Sequence, residues 1–517
     1  MIWRAYPLAI GAAVACLGYG FGLGRLLGIA VDVGDAGILG IACIVILGCA
    51  VHFVFALSTT VQMVVMGVGL ALCLVFRDEL IRRCRGNLAS ILVGLSVFFH
   101  RHAFTFYDSG SYHLQSVKWN SEFAITPGLV NLHMRLAYNS ALFILAPLDD
   151  RPEIGWISNL LVLLFVLTSC YARFSRARRN AVEFWFLGLA IALLVLGTVG
   201  PLGWLGVLNA DGLVAILTVY WFSVALSLPS RPQTDVPLLL LAGVLAMTVK
   251  LSAAPLFLLA LPVAWFHRKT AGVSVLKPLA AAAVLLGLWM ARGVALSGCA
   301  MYPFPPSCVP GLPWAVSRTE AEMETLSIRS WARAPWQFDY AKVMSDWTWL
   351  GKWSLRTLQS WSAQLFLLGG MAGGVSMLAG ARVNRLATAA VAGLCSCLAY
   401  WFWSAPNVRF GSGYLAAAGI LGLSMACAAY FPEIDFMRRL TLEAVAVSVL
   451  LGIASLAQSG NTWAIKNRPA FAMRTAPGGK PIWVTLGDYE GSSDCWDHAL
   501  PCTPYFDPEK LKRVRWR

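Results

Sequence analysis

The chain of 517 residues is too apolar for a water-soluble globule, because 58% of its residues are hydrophobic and only 13% are charged. Its formal charge of +14 would suggest a nucleic acid partner in a soluble protein, but here most basic clusters stand between apolar runs. The composition therefore predicts an all-α polytopic membrane protein, in which helices satisfy their own backbone groups in lipid, and it argues against nucleic acid binding.

Apolar runs long enough for membrane helices recur along almost the whole chain. We place about thirteen or fourteen spans, near residues 7–27, 37–56, 60–76, 88–101, 155–172, 181–199, 212–229, 236–250, 252–266, 276–296, 361–380, 386–404, 411–430 and 440–458. The first run has only Arg4 ahead of it and no small-residue cleavage site, so we expect a retained helix. Near Lys250 two runs lie so close that merged or re-entrant helices stay open alternatives.

Basic clusters between the spans set the predicted orientation through the positive-inside rule. They contain Arg77, Arg82, Arg83, Arg85, Arg173, Arg176, Arg178, Arg179, His267, Arg268, Lys269, Arg382, Arg385, Arg438 and Arg439. With these clusters in the cytoplasm, the N-terminus, the loops 102–154 and 297–360 and the tail lie outside. The prediction is a transmembrane domain over 1–458 followed by a small extracytoplasmic module over 459–517.

Four of the thirteen cysteines form two close pairs, in SGCAMYPFPPSC and DCWDHALPC. Both pairs, Cys299 with Cys308 and Cys495 with Cys502, lie in segments already assigned to the exterior. Metal sites usually have closer CxxC-type spacing, so two disulfides in an oxidising compartment are the better interpretation. A disulfide would also help a module as small as the tail to hold its shape.

The polar stretch at residues 106–150, FYDSGSYHLQSVKWNSEFAITPGLVNLHMRLAYNSALFILAPLDD, follows the fourth predicted span. Ionisable and aromatic residues alternate there with short apolar runs, which a merely solvated loop does not need. Residues 113–123 and 129–146 each show helix-like spacing with one apolar face. The pattern predicts a structured exterior loop with short helices resting on the membrane surface.

Four short motifs spread over about residues 85–430 resemble the GT-C superfamily of polytopic membrane glycosyltransferases. In that superfamily an acidic residue heads a large exterior loop that contains interface helices, and Asp108 in YDSGSYH stands at this place. Asp211 in LNADGLVAIL, Lys250 in TVKLSAAPL and Arg409 in APNVRFGSGYL are similar to further motifs of these enzymes. The set YDSGSYH, GLVNLHMRLAYNS, VKLSA and VRFGSGYL looks most like a bacterial branch placed near them. The chain departs from the usual pattern in carrying about three helices before this loop.

The resemblance implies a GT-C-like fold and an inverting glycosyltransferase of the bacterial inner (plasma) membrane, with its active site facing the periplasm. Such an enzyme transfers a sugar from a polyprenyl-phosphate-linked donor to a glycan, lipid or protein acceptor of the cell envelope. Asp108 is the candidate catalytic base, because a carboxylate at the membrane surface can take the proton of the acceptor hydroxyl. Lys250 and Arg409 are the candidate cations for the leaving phosphate, with Arg135 and Arg292 in reserve.

Polar residues of these motifs and of the exterior loop are predicted to bind substrate. They are Tyr112, His113, Lys118, His133, Arg135, Asn139, Asp211, Lys250 and Arg409. No cofactor follows with certainty and no metal ligand is assigned. A divalent cation stays an open expectation, since Asp108 and Asp211 alone form a thin ligand set.

Each candidate residue also has a structural interpretation. Asp108 could cap an interface helix, and Asp211 could stabilise the turn Asn-Ala-Asp-Gly. Lys250 could extend to the lipid headgroups, and Arg409 could anchor a short loop to lipid phosphate. The two histidines are expected to pack or donate hydrogen bonds rather than bind metal.

Two other functions compete with sugar transfer from a lipid monophosphate. An oligosaccharide polymerase or ligase that uses polyprenyl diphosphate donors would rely on Arg135 or His133 rather than on Asp108. A lipid-linked glycan flippase or other transporter would carry charged residues at the bilayer centre, whereas most ionisable residues here lie at helix ends or in exterior loops.

Overall fold

The computed structural model describes residues 2–99, 107–148, 156–177, 180–197, 207–270, 272–380, 385–431, 434–458, 469–486 and 494–516. This part of the chain is mostly helical, and its many long apolar helices are those of a multi-pass membrane protein. Several predicted features fall outside these ranges, among them Arg178, Arg179 and Arg382 of the basic clusters.

The twenty-one helices follow one another in a simple order. They are α1 (Ile2–Leu27), α2 (Val33–His52), α3 (Thr59–Val75), α4 (Arg77–Gly86), α5 (Leu88–Leu95), α6 (Leu114–Glu122), α7 (Leu142–Leu145), α8 (Trp156–Arg176), α9 (Ala181–Leu196), α10 (Ala210–Ser227), α11 (Pro232–Val249), α12 (Ala254–Thr270), α13 (Leu276–Ser297), α14 (Arg318–Arg333), α15 (Tyr340–Ser345), α16 (Leu350–Leu358), α17 (Trp361–Leu378), α18 (Arg385–Ser404), α19 (Val408–Tyr430), α20 (Ile434–Gln458) and α21 (Pro508–Leu511).

Ten helices of the described chain are long and apolar enough to cross a membrane, or eleven if α3 and α4, bent by 81° at their junction, are one span. This is fewer than the predicted thirteen or fourteen. The predicted span 88–101 is a short apolar helix over Leu88–Phe99, and 181–199 is the sixteen-residue α9. At a rise of about 1.5 Å per residue, neither reaches across a hydrocarbon core of about 30 Å when straight.

Lys250 separates two distinct helices, as predicted, rather than interrupting a merged one. It is the C-cap of α11, and a short 3₁₀ turn over Leu251–Ala253 leads into α12. Ser140 Oγ donates to the Val249 carbonyl at 2.7 Å, and Tyr414 Oη donates to the Ser252 carbonyl at 2.6 Å. These bonds from the exterior loop and from α19 fix the position of the turn.

The exterior loop is more deeply buried than its pattern predicts. The first expected interface helix exists as α6, but the second, over 129–146, is wrong as a single helix. It consists of two 3₁₀ turns, Leu129–Asn131 and Met134–Ala137, followed by the four-residue α7. Most of its residues are buried, because other exterior segments cover the face that would otherwise meet water.

The predicted C-terminal module contains a small three-stranded sheet. Strands β1 (Phe471–Thr475) and β2 (Pro481–Thr485) pair antiparallel, and β3 (Cys502–Thr503) pairs parallel to β2. Both predicted disulfides, Cys299–Cys308 and Cys495–Cys502, are present. Ile482 and Leu511 of the module share an apolar core with Trp119 of α6, so the module is docked on the exterior loop.

A buried ion cluster joins α2, α8, α10 and α11 at the ends predicted to be cytoplasmic. Arg173 contacts Asp35 and Asp235 at 3.0 Å each, and all three side chains are at most 1% exposed. Asp35 also accepts hydrogen bonds from Ser169 Oγ at 2.6 Å and from Tyr220 Oη at 3.0 Å. Arg173 therefore holds helices together, in addition to its predicted part in membrane topology.

We predict that Arg173→Met lowers the free energy of unfolding by about 3–5 kcal/mol, because it leaves two buried carboxylates without their main cation. The measurement is thermal unfolding of the purified protein in detergent, read by tryptophan fluorescence.

Arg176→Met is the matched control on the same helix. Arg176 is half exposed and contacts Asp32 at 2.7 Å, and Arg231 contacts the same oxygen at 2.7 Å. Loss of one cation is therefore compensated by the other, and we expect a cost under about 1 kcal/mol. Equal losses for the two variants would contradict a structural role for the Arg173 cluster.

Candidate functional site

Three of the predicted site residues stand at helix ends. Asn209 caps α10 by accepting from the Asp211 amide at 2.9 Å, and Asn407 caps α19 by accepting from the Arg409 amide at 3.0 Å. Lys250 follows the last turn of α11, where the helix dipole favours a cation. Asp211 likewise lies at a favourable helix N-terminus, while Arg409 lies at an unfavourable one and needs carboxylate partners.

Asp108 lies directly before a π-helical turn over Ser109–His113, which continues into α6. Such turns are rare and occur frequently at functional sites, because they change the direction in which side chains point along a helix. The Trp496 amide of the C-terminal module donates to the Gly110 carbonyl at 3.1 Å. The segment that carries Asp108 is thus held from outside by the tail of the chain.

The structure brings five predicted residues into one ion-pair network. Arg409 joins the two carboxylates, with Nη2 at 3.0 Å from Asp108 Oδ2 and Nε at 3.0 Å from Asp211 Oδ2. Lys250 Nζ contacts the second oxygen of Asp211, and Arg135 Nη1 lies 3.6 Å from Asp108 Oδ1. Three cations meet two carboxylates, which leaves one net positive charge at the site.

Burial divides this network by sign of charge. The side chains of Asp108 and Asp211 are 13% and 7% exposed, whereas those of Arg135 and Arg409 are both 35% exposed and Lys250 is 28% exposed. The cations can therefore take an additional anionic ligand, and the carboxylates face mainly their own partners. This arrangement suits a phosphate group better than a metal ion.

The pKa of Asp108 is held below its usual range. Burial by itself would raise it, but the charges of Arg409 above all, and of Arg135 and Lys250, outweigh the burial. Asp108 is consequently ionised at neutral pH, which is the form that accepts a proton.

Aromatic side chains surround the cations. Lys250 Nζ lies 3.9 Å from the centre of the Phe410 ring, and Arg135 lies 6.0 Å from the Tyr112 ring. Tyr112 is packed edge to face against Tyr138, whose hydroxyl donates to Glu324 of α14. The second exterior loop therefore reaches the site through α14.

The two predicted histidines are buried beside the site. Burial lowers the pKa of His113 to about 4 and the pKa of His133 to about 3, so both are neutral at physiological pH. His113 packs edge to face on Tyr112, and His133 stacks on Tyr505 of the C-terminal module. Direct contact of either residue with a substrate stays a prediction.

Two other predicted substrate ligands have protein partners. Lys118 Nζ donates to the carbonyls of Asp497 and His498 at 3.1 Å each, and therefore holds the C-terminal module. Asn139 donates to the Trp289 carbonyl and accepts from Arg292, a buried guanidinium that also donates to Asn120 at 2.8 Å. The structure does not bring these residues into the ion-pair network.

Sequence reasoning did not select three residues that the structure places at or near the network. Glu324 and Trp331 lie on α14, and Trp496 lies in the module against Gly110. All three come from segments far along the chain, so only tertiary structure reveals them. In the described ranges, no group of three or more His, Cys, Asp or Glu side chains could hold a metal ion.

A family model matches residues 8–416, which is most of the chain. The chain belongs to this family, described as Domain of unknown function (DUF8201). No curated protein and no solved structure matches the chain. The matched range contains all five charged residues of the network and ends before the C-terminal module.

We predict that Gly110→Ala loosens the C-terminal module, because the added Cβ would lie 2.3 Å from the Trp496 ring. The measurement is limited proteolysis of the tail in membranes, which we expect to be several-fold faster than in wild type. Gly287→Ala is the matched control, since a Cβ at this helical glycine of α13 has nothing within 4 Å. The double variant Gly110→Ala with Trp496→Ala removes the clash and should recover part of the protection, whereas equal proteolysis of all variants would refute the contact.

The buried histidines predict a pH dependence of stability. Their pKa values, about 4 and about 3, lie below the value of about 6.5 in the unfolded chain, so the unfolded state binds more protons in between. Stability should therefore fall as the pH decreases from about 7 toward 4. In detergent, the decrease in Tm between pH 7.5 and 5 should be smaller for the double variant His113→Gln with His133→Gln, and an unchanged decrease would contradict this assignment.

Proposed function

We propose that the protein is a membrane glycosyltransferase of GT-C type, which transfers a sugar from a polyprenyl-phosphate-linked donor to an acceptor of the cell envelope. The proposal includes a bacterial inner membrane location, with the site facing the periplasm. One observation carries it: the network of Asp108, Arg135, Asp211, Lys250 and Arg409 assembles a buried base and three accessible cations at helix ends and in an exterior loop.

The cations bind and stabilise the phosphate. Arg409 and Lys250 approach from the ends of α19 and α11, and each still has a partly exposed charged group. Negative charge grows on the phosphate as the bond between the anomeric carbon and the phosphate oxygen breaks. Fixed cations that already surround this position lower the barrier because they need no rearrangement.

Asp108 takes the proton of the acceptor hydroxyl as the hydroxyl oxygen attacks the anomeric carbon. The electron pair of the broken bond leaves with the polyprenyl phosphate, and a single displacement inverts the anomeric centre. A donor phosphate also competes for Arg409 and withdraws positive charge from Asp108. The pKa of Asp108 then rises toward its ordinary value, which makes the carboxylate a stronger base once the donor is bound.

The polymerase or ligase alternative has one observation in its favour. Three cations with one net positive charge would also suit a diphosphate, and Arg135 is among them. His133, the other residue on which that alternative depends, is buried and stacked on Tyr505. In the transporter alternative charged residues would lie at the bilayer centre, whereas the two ion clusters described above lie at helix ends.

The decisive test is Asp108→Asn in the native host, beside wild type and a deletion. We expect the variant to lose about 10²–10⁴-fold of its transfer rate, because the amide accepts no proton. Analysis of envelope glycans and glycolipids should show the missing sugar and an accumulated lipid-linked donor, as in the deletion, with the variant present in the membrane at normal amount.

Glu322→Gln serves as the control, since this exposed acid of α14 pairs only with Arg318 at 3.1 Å in the described contacts. It should behave as wild type. If Asp108→Asn also behaves as wild type, Asp108 is not the base. Loss of activity in Arg135→Gln or His133→Gln would then favour the polymerase or ligase.

A further inference from the structure

Two half-exposed aromatic rings flank the ion-pair network. Tyr107 is 45% exposed, and its ring centre lies 5.8 Å from the Arg135 guanidinium carbon. Trp331 is 37% exposed, and its ring centre lies 5.9 Å from the Arg409 guanidinium carbon. Each ring thus faces a cation while much of its surface remains accessible.

Asp108 stands between these two pairs. Its Oδ1 faces Arg135 at 3.6 Å, and its Oδ2 faces Arg409 at 3.0 Å. Tyr107 and Trp331 are therefore associated with opposite oxygens of the candidate base, and an accessible aromatic surface lies on each side of it.

The chain fixes both rings in place. Tyr107 directly precedes Asp108, so its backbone is held with that of the candidate base. Trp331 lies seven residues after Glu324 on α14, which places both on the same helix face. Glu324 accepts the hydrogen bond of the Tyr138 hydroxyl, and Ser317 forms a capping box at the start of α14. The orientation of α14 toward the site is consequently defined at its N-terminus and in its middle.

We propose that Trp331 and Tyr107 bind two sugar rings, the donor sugar on the Arg409 side and a saccharide acceptor on the Arg135 side. This proposal rests on the proposed function and narrows its acceptor to a glycan. The C–H face of a sugar ring packs on an aromatic ring, and its hydroxyl groups bond to adjacent charged groups. Trp331 takes the donor sugar because Arg409 and Lys250 on that side bind the phosphate attached to it.

The competing acceptors fit the site less well. A lipid alcohol would need a continuous apolar surface, whereas the space between the two rings holds Arg135, Asp108 and Arg409. A serine or threonine of a protein acceptor offers a hydroxyl but no ring for Tyr107.

The experiment measures binding rather than transfer, using saturation-transfer NMR on the protein in nanodiscs. The probes are the methyl glycosides of mannose, glucose, galactose, arabinose and N-acetylglucosamine, with octanol and N-acetylthreonine amide as the lipid-type and protein-type acceptors. At least one glycoside should bind through its C–H protons, and affinity should fall about tenfold in both Trp331→Leu and Tyr107→Leu. Trp331→Phe and Tyr107→Phe retain a ring and should recover most of this binding.

Trp403→Leu is the matched control, an exposed tryptophan at the end of α18 outside the network, and it should bind as wild type does. Absence of glycoside binding, or binding that the leucine variants leave unchanged, overturns the proposal. Binding of octanol or of the threonine amide in place of glycosides overturns the saccharide acceptor. Asp108→Asn should still bind glycosides, so sugar binding with no glycan phenotype in that variant would instead refute the transfer reaction alone.

Discussion

Arg409 determines the geometry of the candidate site, because its single guanidinium joins carboxylates that come from different parts of the chain. Asp108 belongs to the first exterior loop and Asp211 to the start of α10, and both lie 3.0 Å from Arg409. The helix N-terminus disfavours this cation, so the two carboxylates are what make its position stable. Any anion that binds there must compete with them, which couples ligand binding to the charge on Asp108.

The two ion clusters of the molecule use the same chemistry with opposite results. At the predicted cytoplasmic ends of the helices, Arg173 is enclosed by Asp35 and Asp235, and the cluster has no access to solvent. The exterior network instead leaves a third of each guanidinium of Arg135 and Arg409 exposed. Burial of the cation is compatible with holding helices together, whereas an accessible cation next to a buried carboxylate is compatible with binding and chemistry.

The sequence predicts the class of fold and four of the five network residues as a related set, because hydropathy and short motifs are local properties. Arg135 was also selected, as a reserve cation, although its motif does not indicate its distance to Asp108. The interface helix over 129–146 is wrong, since an apolar pattern with polar interruptions has no fixed polar face once α14 and the C-terminal module cover it. Trp331 and Trp496 depend on contacts between distant segments, and no local pattern encodes those.

The exterior loops and the C-terminal module form one support for the segment that carries Asp108. Lys118 and Gln115 of the first loop donate to backbone carbonyls of the module, and Tyr138 donates to Glu324 of the second loop. A disulfide lies beside the module's contact with Gly110, where Cys495 adjoins Trp496. Asp108 therefore gains its position from segments that transmembrane helices alone would not supply. This dependence explains why a chain whose hydrophobic mass lies in the bilayer also carries such large polar segments outside it.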